Sequence, residues 1–338
     1  MISLNYCVEL LTNINTLNSD ENSILHILCK ERKPGLSPFH NLNGIYNCST
    51  DLKDNYNIIK LLLTRLDLNI NMKNKDGNTA LHILCDYTPS KSKPFGNVDK
   101  TDNTERNISF DIVKLLLDRP DININILNNN NDYPIDIAYK NNKFDIFKLL
   151  LKKNTDISIK NKYLYLACKY SNFNIAKILL NDENIDINYK KTNEDNNSLL
   201  HLLLIRTKNC CFDYMECIMS LINNNNFDIN CVNNDNYTSL HLMCDTNENE
   251  SNIYLIKLLL SNKNIDVNYQ CENNKNTALH FACIKNNIEV VEVLLTHQDI
   301  DIYIKNLYGL YPYDIVCGNN NSDIKQLLLS YKNKKQKI

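Results

Sequence analysis

Asn276-Thr277-Ala278-Leu279-His280-Phe281-Ala282-Cys283 opens the stretch that decides the fold, and Glu289-Val290-Val291-Glu292-Val293-Leu294-Leu295-Thr296 closes it. Thr277 is placed to cap a helix, because its hydroxyl can accept from a backbone N–H that has no partner inside the helix. Leu279 and Ala282 lie three apart and share one helix face. Val290, Val291, Leu294 and Leu295 form the matching apolar stripe on a second helix. Asn286-Asn287 turns the chain between them. Neither helix is long enough to be stable alone, so the unit needs neighbours.

The neighbours are present. Leu-His recurs at Leu25-His26, Leu81-His82, Leu200-His201, Leu240-His241 and Leu279-His280, with degenerate copies at Ile135-Asp136, Leu164-Tyr165 and Tyr313-Asp314. An apolar block follows each, at 58–63, 112–117, 146–151, 175–180, 217–222, 255–260, 290–295 and 324–329. This makes eight units. Cys7-Val8-Glu9-Leu10-Leu11 reads as the second helix of an N-terminal half-unit. The T-x-L-H-x-A pattern with its L-L-L block, at a period in the thirties, resembles the ankyrin repeat. The resemblance covers nearly the whole chain. It implies an all-α repeat solenoid, an ankyrin-type helix-turn-helix stack with short β-hairpins between units.

Residues 1–22 are expected to form a capping half-repeat, 23–330 the repeat domain and 331–338 a lysine-rich tail. Units start near 23, 79, 133, 162, 198, 238, 277 and 311. His26 to Ile58 spans 32 positions and His82 to Ile112 spans 30, against 10 from His280 to Val290. Units one and two therefore carry long inserts, about 32–55 and 88–107, and units five and six shorter ones. The two long inserts hold four of the seven prolines, which argues against long regular structure there. Phe39, Leu42, Ile45, Tyr46 and Phe95 offer them apolar contacts for a partner-specific lobe. Asp156 to Lys162 covers 6 positions where Asp266 to Thr277 covers 11, so one finger is nearly lost.

Composition narrows the classes. A formal net charge of −2 supplies no basic field to attract nucleic acid. No apolar run approaches the ~20 residues of a membrane helix. Met1-Ile2-Ser3-Leu4-Asn5 lacks the basic start of a signal peptide, so an intracellular protein is expected, cytoplasmic first and nuclear second. Of 13 cysteines, Cys29, Cys85, Cys168, Cys244, Cys283 and Cys317 fall three residues after the signature position. That slot faces inward, so these read as reduced, buried thiols. Asn, Ile, Lys and Tyr have A/T-rich codons, and the bias resembles repeat proteins of large DNA viruses or AT-rich protists. The Asn abundance reads chiefly as codon bias, apart from Asn141-Asn142, Ser171-Asn172, Asn286-Asn287 and Asn319-Asn320, which replace glycine in the interhelix turns.

Catalytic signatures are missing: there is no G-x-S-x-G, P-loop or Rossmann fingerprint. By the resemblance, His26, His82, His201, His241 and His280 are structural, bonding to backbone and to the preceding unit's turn. One imidazole per unit cannot converge on a single ion. Cys210-Cys211, with Cys217 and Cys231, does not fit zinc spacing. No metal and no cofactor are expected. The resemblance places partner contacts four and five residues after the signature position, at Asp86, Tyr87, Lys140, Lys169, Tyr170, Arg206, Asp245 and Lys285. It adds the finger tips Lys75, Asp76, Lys191, Glu194, Asp235 and Lys275. It implies a non-catalytic, monomeric scaffold or adaptor that binds a partner protein through its concave face. A target-recruiting subunit of a ubiquitin-ligase or host-interaction complex is one alternative, and a thiol-dependent or metal-binding enzyme is another.

Overall fold

The computed structural model describes residues 14–30, 52–86, 100–154, 156–191, 195–205, 212–246, 250–318 and 322–335. The Cys7–Leu11 half-unit (residues 7–11), Asn319-Asn320, Cys210-Cys211 and the apolar residues of the inserts lie outside them. Among the described residues there are sixteen helices in eight pairs and no strand, an all-α repeat solenoid. The chain divides into two compact units, 1–155 and 156–338.

The first compact unit holds three pairs: α1 (Ile24–Cys29) with α2 (Leu52–Leu62), α3 (Ala80–Asp86) with α4 (Lys100–Leu117), and α5 (Pro134–Lys140) with α6 (Phe144–Lys153). The second holds five: α7 (Ile157–Lys169) with α8 (Phe173–Leu180), α9 (Leu199–Ile205) with α10 (Phe212–Ile222), α11 (Ser239–Cys244) with α12 (Glu250–Leu260), α13 (Ala278–Ile284) with α14 (Ile288–Leu294), and α15 (Pro312–Gly318) with α16 (Ser322–Lys335). Within each compact unit, first helices pack on first helices, as α3 on α5 and α13 on α15. Second helices form the other layer, as α2 on α4 and α8 on α10. Stacking buries the face that no single pair could bury alone.

The termini of the elements follow local chemistry. Thr277 and Thr238 cap α13 and α11 by accepting from the N–H groups of His280 and His241. Asn142, Ser171 and Asn286 take positive φ of 55°, 59° and 58° in the interhelix turns, as the missing glycines require.

Four helices depart from the sequence expectation. α4 begins at Lys100, inside the expected insert, because nothing after Gly96 breaks a helix. α2 likewise begins at Leu52. α16 continues to Lys335, through the expected tail, and its terminal lysines complement the negative helix end. The short finger at 156–162 has become helix: Asp156 accepts from the Ser158 N–H and caps a 13-residue α7.

Between pairs the chain makes hairpin-like fingers closed by reciprocal backbone bonds. Asn74 N–H donates to the Asn78 carbonyl at 2.9 Å and Gly77 N–H to the Asn74 carbonyl at 2.8 Å. The Asn74 side-chain carbonyl accepts from the N–H groups of Asp76 and Asn78, each at 3.0 Å. Asn18, Asn128, Asn233 and Asn306 do the same in their own fingers. Gly77 has φ +74°, and a Cβ there would meet the Asn129 backbone nitrogen at 2.7 Å, so the next finger needs this position bare.

A second set of asparagines joins consecutive pairs. Asn71 donates its amide to the Asp121 carbonyl at 2.7 Å and accepts from the Asn123 N–H at 2.8 Å. Asn15 grips residues 67 and 69 in the same way. In the second compact unit Asn188 grips 226 and 228, Asn230 grips 264 and 266, and Asn268 grips 299 and 301. The backbone partners fix which end of each carboxamide is oxygen. Asparagine is therefore a structural part at defined register positions, and codon bias does not account for those positions. In the first compact unit Arg119, 7% exposed, adds a latch. Its guanidinium donates to the Leu63 and Arg65 carbonyls at 2.9 and 2.7 Å, while Asp121 holds it from the other side.

The last pair differs at three aligned positions. Tyr303 stands where Asn268 grips the next pair. Cys317 is exposed where Cys283 is buried, against the expectation of a buried slot. Lys325 is exposed where Ile59, Val113, Phe147, Ala176, Ile218, Ile256 and Val291 are each 0% exposed. All three side chains are exposed in this pair.

Candidate binding surface

The fingers and the C-terminal ends of the first helices carry the candidate contacts, and the signature histidines set how they are held. Each imidazole Nδ1 faces the backbone N–H of its own helix cap, as at Thr277 (3.1 Å) and Ser198 (3.3 Å). An N–H can only donate, so Nδ1 is bare and Nε2 carries the proton. Nε2 then donates to the carbonyl of a finger: His26 to Asn78, His82 to Asp132, His201 to Tyr237, His241 to Tyr269 and His280 to Leu310, at 2.8–3.2 Å. These fingers lead into the following pair, not the preceding one as the family resemblance had implied. The histidine thus ties its own helix to the finger ahead of it. Burial pushes all five below the usual histidine range, His201 and His241 to about 4. Asp136 and Asp314 keep the cap bond, each accepting from an N–H at 2.9 Å. Tyr165 is buried and packs edge-on against Tyr189, ring centroids 6.2 Å apart.

In the first compact unit the expected contact residues Lys75, Asp76 and Asp86 line one groove with Asp20 and Lys30. Lys75 pairs with Asp20 at 2.7 Å, which lowers the Asp20 carboxyl and raises the Lys75 ammonium. Lys140 bonds both oxygens of Asp132, at 2.6 and 2.7 Å. Asn141 donates to Asp86 at 3.3 Å. In the second compact unit Asp245 and Lys285, both expected contacts, pair with each other at 3.3 Å. Tyr170 is exposed beside Lys169, whose ammonium lies 5.8 Å from its ring centroid. Lys191, Asp235 and Lys275 are exposed. Tyr87, Arg206 and Glu194 lie outside the described residues.

Sequence reasoning missed two features here. Asp20 and Asp132 are the acidic partners of the expected lysines. Their signal was weak, because they lie in fingers whose pairing depends on the fold. The other is the last finger. Leu307 and Tyr308 align with the tip residues Lys75 and Asp76, ahead of Gly309 and Gly77, and are 62% and 74% exposed. That alignment could have found them.

Among the described residues no three histidines, cysteines or carboxylates are grouped to hold a metal ion. Burial pushes Cys29, Cys85 and Cys283 up to about 12, and Cys168 and Cys244 upward as well. Such thiols are poor nucleophiles. Among the described residues no helix is long and apolar enough to cross a membrane.

A family model of ankyrin repeats in three copies matches residues 104–191 and 203–306, more than half of the chain. The chain belongs to the ankyrin repeat family. The match starts within α4 and ends at Asn306, the first residue of the last finger. An ankyrin repeat protein of Acanthamoeba polyphaga mimivirus is 26% identical over 301 residues, 87% of this chain and 33% of its own length. An ankyrin repeat protein of fowlpox virus is 29% identical over 181 residues, 51% of this chain and 48% of its own. An NAD-dependent deacetylase of Dictyostelium discoideum is 26% identical over 287 residues, 28% of its own length. The chain thus spans between about a quarter and a half of these relatives. Ankyrin repeats are protein–protein interaction modules, and this chain is one.

Proposed function

We propose that this ankyrin array is a non-catalytic scaffold or adaptor, monomeric on its own, that binds a partner protein across its fingers and first helices. The observation that carries the reading is the pairing of the surface charges. Lys75–Asp20, Lys140–Asp132 and Lys285–Asp245 are opposite-charge pairs within reach of solvent. Paired, mixed charges on a frame fixed by histidine and asparagine bonds favour one orientation of a polar partner surface. The histidines are saturated by backbone groups and five of the six slot thiols are buried, Cys317 being the exposed one, which supports a binding role over catalysis.

Hydrogen exchange of the full chain, with and without a crosslink-verified partner, tests this. Added protection is expected in fingers 74–78, 128–132 and 233–237 and in the ends of the first helices. Protection confined to the second helices would overturn the surface assignment. Reversal of Lys140 and Asp245 in one variant should weaken the partner without altering the far-UV spectrum. The composition of the purified complex decides whether the scaffold recruits targets to a ubiquitin ligase.

A further inference from the structure

The last finger departs from the others in its chemistry. The two tip positions are Lys75 and Asp76 in one finger, Asn129 and Asn130 in the next, and Asn234 and Asp235 in a third. In the last they are Leu307 and Tyr308, with Leu310 exposed as well. Nothing local requires this. The finger is closed by the same bonds, Asn306 N–H to the Leu310 carbonyl and Gly309 N–H to the Asn306 carbonyl, both at 3.0 Å. A Cβ on Gly309 would have nothing within 4 Å, so the tip stands in open space. Leu307, Tyr308 and Leu310 expose apolar surface there at a cost in solvation that the neighbouring fingers avoid.

The base of the patch is cationic and fixed. Leu307 N–H donates to the Asn274 carbonyl at 2.8 Å, which lays the last finger against the one before it. The Gln270 amide donates to the carbonyls of both Lys275 and Lys305, at 2.7 and 2.9 Å, which joins the backbone of the two fingers at two exposed lysines. Lys305 lies 5.0 Å from the ring centroid of Tyr311. Among the described residues neither lysine makes an ion pair, unlike Lys75, Lys140 and Lys285, and Glu272 on the same finger as Lys275 pairs with neither. Tyrosine is among the usual anchors of a binding surface, and unpaired cations near it favour a partner of opposite charge.

We propose that Leu307 and Tyr308, with Lys275 and Lys305, dock a partner segment in which an aromatic or leucine side chain is flanked by carboxylates. This deepens the protein-binding reading and rests on it. The test is selection of a random 12-residue peptide library on the immobilised full chain, followed by fluorescence polarisation of the enriched peptides. Enriched peptides should place Asp or Glu beside an aromatic residue or leucine. Tyr308→Ser should weaken them about tenfold or more, as the loss of an anchor does. Lys275→Glu with Lys305→Glu should do so in a salt-dependent manner. Both changes are at the surface, and unchanged thermal melting confirms the fold.

Enriched peptides that bind Tyr308→Ser as well as the parent, but fail on a Lys140→Glu, Asp245→Lys variant, would overturn this site and leave the scaffold reading intact. Failure to enrich any peptide would overturn both. Two other occupants are separable outcomes, each of which overturns the acidic segment. Concentration-dependent sedimentation abolished by Tyr308→Ser would identify a second copy. Tyr308-dependent binding to phosphatidylserine vesicles, with no peptide enriched, would identify a membrane surface.

Discussion

The side-chain carbonyl of Asn230 accepts from the backbone N–H of Asp266 at 2.8 Å, and its amide donates to the Asn264 carbonyl two residues earlier. One carboxamide therefore satisfies two backbone groups of the next pair. Asn230→Ala should destabilise by about 1–2 kcal/mol, the net worth of two partly exposed hydrogen bonds. Asn230→Asp should cost more at neutral pH, because a carboxylate oxygen would face the Asn264 carbonyl. Urea unfolding of the three proteins checks the order. An aspartate variant as stable as the parent would show that the amide does not clamp.

The histidines set the acid limit. His201 and His241 titrate near 4 in the folded chain, against 6.5 ordinarily, because burial opposes their charged form. The unfolded chain takes up protons that the folded chain refuses. Stability from these groups is complete above pH ~6.5 and is lost as the pH falls through about 4, on the order of 3 kcal/mol for each. Lowered carboxylates such as Asp182 act only below their ordinary 3.8, so the two effects separate in pH. Urea titrations from pH 7.5 to 4.0 should show falling midpoints. His280→Ala should cost about 1–3 kcal/mol at pH 7.5, where its two backbone partners are left unmet.

The cysteines report the register of the stack. Brief native alkylation followed by peptide mass spectrometry should label Cys317 ahead of the five buried slot cysteines. Cys29, Cys85, Cys168, Cys244 and Cys283 should react only on unfolding, since all five are buried. Fast native labelling of Cys283 would mean that the face of α13 is assigned wrongly.

The two inserts can be shortened to the helix borders. Replacing 32–51 and 88–99 by short turns leaves α2 and α4 whole and should leave the array folded. Extending the second deletion to 107 removes two turns of α4 and should lower the thermal midpoint. Circular dichroism melts distinguish the cases, and equal melts for both deletions would show that the first turns of α4 contribute nothing to stability.

What could be read beforehand was the short-range part. His280 lies three residues after its cap and ten before Val290, and the signature followed by its apolar block recurs with enough fidelity to count eight units even where inserts lengthen the spacing. The asparagine grips escaped notice because Asn71 and Asp121 are 50 residues apart and asparagine is common everywhere in the chain. Helix borders at Lys100 and Lys335 escaped because no proline or glycine marks them and polar residues are compatible with helix or loop alike. The expected contact positions were inferred from register alone. Which of them neutralise each other, as Asp245 and Lys285 do, depends on the spacing between stacked helices, which no single unit encodes.

Each asparagine grip joins a side chain to main chain, so the receiving pair is recognised by its backbone and not by its residues. Interfaces of this kind constrain mutation on one side only. Residues 226, 264 and 299, whose carbonyls are held, are Asn, Asn and Asp, and could drift further without loosening a neighbour. A chain built on such joints can exchange many of the side chains on the receiving side while its joints persist.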